Sequence, residues 1–313
     1  MGMSLELSVR QAELDDHDDV VAFTSDTWAD RRESGDYIPR VFESWVESDG
    51  PRQRTLVADT GDDVAGIVQV VLLSEHEAWV QGMRANPDYR GSGVGLQLAH
   101  AGFDWAREQG ATVARNMVFS WNVMGLGHSR AAGFGPSTEF RWVHPDPDAD
   151  ATIERDRTDD PNAAWSYWQQ SRARDELRGL ALHTEESWAL AELTRDRLAA
   201  ARDERDGLLV VQDDSAGTQG FTVRTRTYER EDDDGNAQTW AEYGVAGWEN
   251  QSACEDLLAA ISQDAASVGA DRTRVLIPED VTMVSDVAVT RTEIGEEPDF
   301  VMAADLTSDY RGQ

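Results

Sequence analysis

The residues with the clearest chemical bearing are Arg90-Gly91-Ser92-Gly93-Val94-Gly95. They follow an extended run over 77–86 and open an amphipathic stretch that reaches about 109. A glycine-rich turn entering a helix exposes backbone N–H groups at the positive end of the helix dipole, a site for an anion and above all a phosphate. Glycines at 91, 93 and 95 let the main chain approach a ligand with no Cβ in the way. Three phosphate-binding patterns come into question. A P-loop requires Gly-x-x-x-x-Gly-Lys-Ser/Thr, and the chain contains no lysine. A dinucleotide fingerprint requires Gly-x-Gly-x-x-Gly in the first strand-to-helix turn. Here Gly95 falls one residue out of step and the turn follows several strands. The third pattern, Arg/Gln-x-x-Gly-x-Gly/Ala, fits Arg90 to Gly95 in full, and a chance glycine-rich helix start is its plain alternative.

Other groups able to do chemistry are fewer. Glu75, His76 and Glu77 cluster where one strand turns into the next. A carboxylate there can take a proton directly or through water; the plain reading is a polar hairpin tip. Trp79 and Gln81 share the face of Glu77, because alternate strand residues point the same way. The histidines at 17, 76, 100, 128, 144 and 183 show no metal-ligand spacing, so no metal site is expected. Cys254, the single cysteine, sits on a helical face and reads as apolar filler.

The Arg90–Gly95 pattern resembles the pyrophosphate loop of the GNAT (Gcn5-related N-acetyltransferase) superfamily. Met83-Arg84-Ala85-Asn86-Pro87-Asp88-Tyr89-Arg90 is similar to that family's strand-end Leu-x-Val-x-Pro-x-Tyr-Arg segment. Asn122 stands eleven residues before Gly133-Phe134, as in its Asn-x-x-Ala…Tyr-x-x-x-Gly-Phe segment. The resemblance implies acetyl-CoA as co-substrate and direct transfer of its acetyl group to a primary amine. It assigns the pantetheine arm to Met83, Arg84, Ala85 and Asn122, and the pyrophosphate to the N–H groups of Arg90, Gly91, Ser92, Gly93, Val94 and Gly95. A backbone N–H near Met83 would polarise the carbonyl. The family usually places a tyrosine acid seven residues after the asparagine; here that position is Ser129, a shorter and far weaker acid. Ser129 is the candidate for the contact to sulfur and Glu77 the candidate base. The acceptor class, a small-molecule or a peptide amine, stays open. So do two rival readings: a non-catalytic acetyl-CoA sensor, and a tandem acyltransferase acting on a larger amine, as mycothiol synthase does.

The elements that must position these groups form an α/β chain. Strands are expected at 5–11, 55–58, 64–73, 77–86, 112–120 and 140–143, and helices at 15–32, 38–46, 94–109 and 123–132. This β-α-α-β-β-β-α-β-α-β order is what the resemblance implies for a complete GNAT domain with a mixed sheet, residues 1–145. Residues 146–160 are acidic and proline-marked and read as a linker. The remainder, 161–313, runs through a similar order: strands at 180–183, 208–212, 218–228, 239–247, 272–277 and 300–306, helices at 185–202, 251–268 and 281–289. It reads as a second, degenerate GNAT-like domain without the pyrophosphate loop, since 247–251 carries Glu249 and no glycine pattern. Such a domain walls the acceptor site or stabilises the first. Trp165, Tyr167 and Trp168 are expected to pack between domains.

Composition bounds the partners. The net charge is −32 and every one of the 28 basic residues is arginine. So negative a chain repels nucleic acid and anionic membranes. Acidic residues spread through every polar segment point to a surface adapted to high salt, where repulsion is screened. The first residues carry no basic and apolar leader pattern, and the longest apolar run, 64–73, is too short to span a bilayer. A cytoplasmic protein is expected.

Overall fold

A computed structural model describes residues 7–28, 35–232 and 235–312. In chain order it contains β1 Ser8–Gln11, α1 His17–Thr24, α2 Ile38–Ser48, β2 Gln53–Asp59, β3 Val64–Leu72, β4 Glu77–Ala85, α3 Val94–Glu108, β5 Val113–Phe119, α4 Val123–Ala132 and β6 Gly135–His144. It continues with β7 Asp156–Thr158, α5 Pro161–Trp168, α6 Arg172–Glu176, β8 Leu180–Leu182, β9 Leu190–Glu192, α7 Arg195–Arg205, β10 Leu208–Asp213, β11 Gly217–Glu231, β12 Ala237–Trp248, α8 Gln251–Ser267, β13 Arg272–Pro278, α9 Val281–Thr290, β14 Glu293–Ile294 and β15 Asp299–Asp305. The strand and helix order expected for 1–145 is present, with α4 matching 123–132 residue for residue. The expected first helix is described only to residue 28, beginning with a 3-10 turn at Leu14–Asp16; 1–6 and 29–34 lie outside the described residues.

Contacts divide the chain into two units. The first comprises 1–118, 122–136 and 301–313; the second comprises 119–121 and 137–300. The last strand of the chain therefore belongs with the first unit and most of β6 with the second. Both differ from the division at 145 read from the sequence. The stretch 146–160 carries β7, paired antiparallel to β10, and Arg155 binds Asp256 at 2.7 Å, so it is built into the second unit.

In the first unit the strand order is β1-β2-β3-β4-β5-β15. All nine residues of β3 are buried, as befits a central strand covered on both faces. On one face Leu98, Ala99, Phe103 and Ala106 of α3, at helical spacing, pack on Leu56, Ala58, Val68, Val70, Ala78 and Val80. On the other, Val20 of α1 with Ile38 and Phe42 of α2 cover Val57, Val64 and Ile67. Each Leu, Ile, Val or Phe side chain among these, taken from water, contributes about 1.5–3 kcal/mol.

In the second unit β6-β13-β12-β11-β10-β7 follow one another, and β14 pairs with β6. The expected helix over 185–202 is replaced by β9 and a shorter α7. Leu190 pairs with Leu182 in the β8–β9 hairpin, and the Thr194 side chain caps α7. Tyr167 and Trp168 lie edge-on to Phe221 inside this unit, which corrects their expected place between domains. Cys254 is fully buried, and burial pushes its thiol far above the usual range. Among the described residues no helix is long and apolar enough to cross a membrane.

Candidate active site

Three features converge at the end of β4. The parallel β4–β5 ladder begins at Glu77↔Val113 and ends at Trp79↔Arg115, although β4 runs on to Ala85 and β5 to Phe119. Beyond that point the two strands part. On its other edge, β4 pairs with β3, and the register shifts between Ile67↔Arg84 and Gln69↔Gln81, so Gly82 and Met83 stand opposite Val68 alone. This is a β-bulge, which turns backbone groups out of the ladder. Gly82 has φ +62, and a Cβ on it would lie 2.5 Å from the Trp45 ring. Only glycine fits there.

The third feature is the turn that follows. The Asn86 side chain accepts from Asp88 N–H at 3.0 Å, Pro87 starts a 3-10 turn, and Tyr89 Oη donates to Asp63 Oδ2 at 3.0 Å. These bonds give the Asn-Pro-x-Tyr-Arg segment its local form. Arg90 N–H is taken by Pro87 O and Ser92 N–H by Tyr89 O. The N–H groups of Gly91, Gly93, Val94 and Gly95 have no acceptor among the described residues, and no side chain caps α3. Gly91 and Gly93 have φ +80 and +78 with nothing within 4 Å of a built Cβ. A helix start of this kind, open and uncapped, suits an anion. Gly95 does something else: a Cβ there would lie 2.7 Å from His128 Cε1, so this glycine lets α4 pack on α3.

The candidate side chains are not all gathered at this point. Arg84 turns to the α1–α2 face, where Asp36 receives it at 2.6 and 3.0 Å and Trp28 stacks 4.3 Å away. Ala85 and Arg90 are exposed. Met83 packs at the edge of the α3 core. Asn122 caps α4, its Oδ1 accepting from Gly125 N–H at 2.9 Å, which leaves its Nδ2 as the donor available to a ligand. Ser129 is 2 % exposed, and its Oγ accepts from Asn116 Nδ2 at 3.0 Å. The other end of that amide, Asn116 Oδ1, is buried without a partner among the described residues. Asn116 was not singled out in the sequence, where nothing distinguishes it from any other strand asparagine.

Glu77 begins β4, five residues before the bulge, or ~16 Å along an extended strand. It is 3 % exposed, with Arg115 Nη1 at 2.5 Å and Ser74 Oγ donating at 3.0 Å. His128, beside the open turn, is held below its ordinary pKa, first by burial and then by His100.

The second unit repeats part of this plan. Between Thr222↔Ala246 and Arg224↔Tyr243 the β11–β12 register shifts, leaving Gly244 and Val245 opposite Val223. The parallel β12–β13 ladder ends at Tyr243↔Val275. The helix after it is closed, however: Asn250 caps α8 by accepting from Ala253 N–H at 3.1 Å, and Glu249 N–H binds Gln219 O at 2.8 Å. Trp248 Nε1 donates to Asp286 across to α9.

Residues 18–123 match the acetyltransferase (GNAT) family. No curated protein matches the sequence. Among solved structures, the chain is similar to a GCN5-related N-acetyltransferase from Sphaerobacter thermophilus, with 14% identity over 96% of each chain and a TM-score of 0.59. It is similar to the glucosamine N-acetyltransferase region of a fungal multi-domain GH3 β-N-acetylglucosaminidase, at 13% identity over 96% of this chain and 38% of that one, TM-score 0.60. A tandem GNAT protein from the clavulanic acid biosynthesis pathway matches at 14% identity over 96% of this chain and 99% of its own, TM-score 0.52. At these identities the likeness is one of fold.

Proposed function

We propose that this chain, whose residues 18–123 match the acetyltransferase (GNAT) family, transfers the acetyl group of acetyl-CoA directly to a primary amine, with no acyl-enzyme. The observation that carries this reading is the parting of β4 from β5 after Trp79, directly before a turn whose amides at Gly91, Gly93, Val94 and Gly95 have no acceptor among the described residues. An extended pantetheine arm fits the β4 edge at 83–85, and a diphosphate fits the turn. Asn122 Nδ2 is the side-chain donor to the arm.

When bound, acetyl-CoA supplies an activated acyl group. The bulge at Gly82–Met83 presents backbone N–H to the carbonyl oxygen, where charge develops in the tetrahedral state. The amine nitrogen forms the C–N bond, the C–S bond breaks, and the amine proton leaves to water while the thiolate departs. Glu77 acts in this reading as the partner of Arg115, holding the closed end of the strand pair. Ser129 with Asn116 offers a hydroxyl in place of the more acidic phenol of a tyrosine, which a thiolate leaving group tolerates. That same substitution favours the second reading, a sensor that binds acetyl-CoA without turnover. We assign the cofactor to the first unit alone, since α8 is capped by its own Asn250. The acidic surface we read as an adaptation to high salt.

Thermal melting with acetyl-CoA tests the reading. A ligand at a hundred times its Kd stabilises by about 2.7 kcal/mol, and this gain is expected to vanish in Gly93→Glu, which sets a carboxylate in the turn. An unmoved melting temperature of the natural protein would refute it. Thiol release across a broad amine panel separates enzyme from sensor.

A further inference from the structure

An imidazole stands against the open turn and takes no part in the chemistry assigned above. His128 lies on α4, half-buried, with its ring against the first turn of α3. Its Cε1, Nδ1 and Nε2 atoms come within 2.7, 3.1 and 3.3 Å of the place a Cβ on Gly95 would occupy. That place is two bonds of ~1.5 Å from the Gly95 nitrogen, so Nε2 lies no farther than about 6.3 Å from that N–H. A phosphate oxygen accepting there at ~2.9 Å lies no farther than about 9 Å from the ring. Nε2 is itself buried and without a partner among the described residues. The charged and titratable groups around the ring are few. His100 faces it from α3 and has a backbone bond to Ala132. The Tyr310 ring stands 5.5 Å from His100, and Asp104, Asp309 and Arg311 act on His100 in turn. Tyr310 Oη and Arg311 both donate to Asp104. Arg130, on α4 itself, is exposed and donates to Phe134 O at 3.1 Å. Among the described residues no carboxylate pairs with the His128 ring.

We propose that His128 takes up a proton when the diphosphate of acetyl-CoA settles on the turn, and as an imidazolium becomes part of the cofactor's anion site. This rests on the acetyl-CoA reading of the turn. One proton passes from solvent to the ring, and no bond of the cofactor changes. In the free protein, burial and then His100 disfavour the charged ring. An anion held within about 9 Å favours it. At that separation, in surroundings between protein and water, the attraction is of the size of an about tenfold change in affinity. The sign follows from linkage. Affinity is highest below the pKa of the ring in the free protein, falls as pH rises toward its pKa in the complex, and is level above that. The coupling is reciprocal: the cofactor raises the ring's pKa by as much as the proton strengthens binding, about one pH unit for about tenfold.

The probe is 3′-dephospho-CoA, because the 3′-phosphate of CoA itself titrates near pH ~6 and the diphosphate does not. The full chain, labelled at histidine Cε1, is followed by NMR from pH 5 to 8 at fixed ionic strength, free and saturated with the probe. The His128 signal is identified by its loss in His128→Gln, or in His128→Asn should that variant not fold. Its midpoint is expected to rise by about one pH unit on saturation. Calorimetry in two buffers of different ionisation heat should show proton uptake near the free midpoint, and a Kd about tenfold tighter at pH 5 than at pH 8. Both are expected to be lost in His128→Gln. A role confined to packing α4 on α3 would instead weaken binding at every pH in the variant and leave the uptake in place. An unmoved or lowered His128 midpoint, or uptake that persists in His128→Gln, overturns the proposal. If neither variant folds, the signals of the six histidines in the natural protein decide. A single upward shift, in the ring with a nuclear Overhauser contact to Gly95, supports the proposal; no upward shift overturns it. Absence of binding by the natural protein at every pH refutes the acetyl-CoA reading as well, whereas binding with a fixed His128 midpoint refutes this proposal alone.

Discussion

Replacing Gly82 by alanine attacks the bulge directly. The new Cβ would stand 2.5 and 2.7 Å from the Trp45 ring and 3.0 Å from Ile38 Cδ1. The Tyr37 ring stands edge-on to Trp45, 6.0 Å away. Forcing a residue with a Cβ into this left-handed backbone costs about 1–2 kcal/mol, and overpacking adds about 1–3 kcal/mol. The sum, roughly 2–5 kcal/mol, corresponds to a melting decrease on the order of 10 °C. Gly91→Ala is the control: its φ is +80 but nothing lies within 4 Å, so only the backbone cost of about 1–2 kcal/mol applies. Where Gly82→Ala folds, relief of the clash flattens or moves the bulge and withdraws the carbonyl's donor, a loss of about a hundredfold in kcat, with acetyl-CoA affinity changed far less. Differential scanning fluorimetry and steady-state kinetics of the two variants measure this. Equal losses in both, or an unaffected kcat in Gly82→Ala, would refute the role assigned to the bulge.

Glu77→Gln removes the carboxylate 2.5 Å from Nη1 of Arg115, which is 9 % exposed. Breaking one side of a buried pair costs about 3–5 kcal/mol, so melting should fall while the shape of the pH–rate profile persists; loss of the ascending limb would instead make Glu77 the base. His128 gives a pH dependence of known sign. Burial, then His100, hold its folded-state pKa below the ordinary 6.5. Its contribution is therefore complete above 6.5 and is lost as pH falls through the lowered folded value, at no more than about 1.4 kcal/mol per pH unit for one proton. Melting followed from pH 7.5 to 5 should show a smaller acid loss in His128→Gln than in the natural protein. With a net charge of −32, melting should rise from 0.1 to 2 M KCl as like charges are screened; a flat salt curve would remove the high-salt reading.

The sequence alone determined whatever rests on neighbours in the chain. Glycines that permit φ near +80, an asparagine that caps a 3-10 turn and a proline that starts it act within a few residues, so the 86–95 turn was legible as an open, uncapped helix start. Helical and alternating periodicity likewise located α2, α3, α4 and the strands from β2 to β5. Tertiary structure decided what depends on pairing across the sheet. Glu77 meets Arg115 and Gln81 meets Gln69 only after the strands are in register. The bulge left a trace, a glycine inside a strand, but only pairing with β3 turns that trace into a displaced backbone. The same holds for the limits of the units. Hydrogen bonding to a sheet edge does not depend on distance along the chain, so residues 301–313 complete the first unit although nothing in their composition ties them to it. Likewise, the 146–160 stretch, acidic and proline-marked, reads as linker until β10 offers β7 a partner.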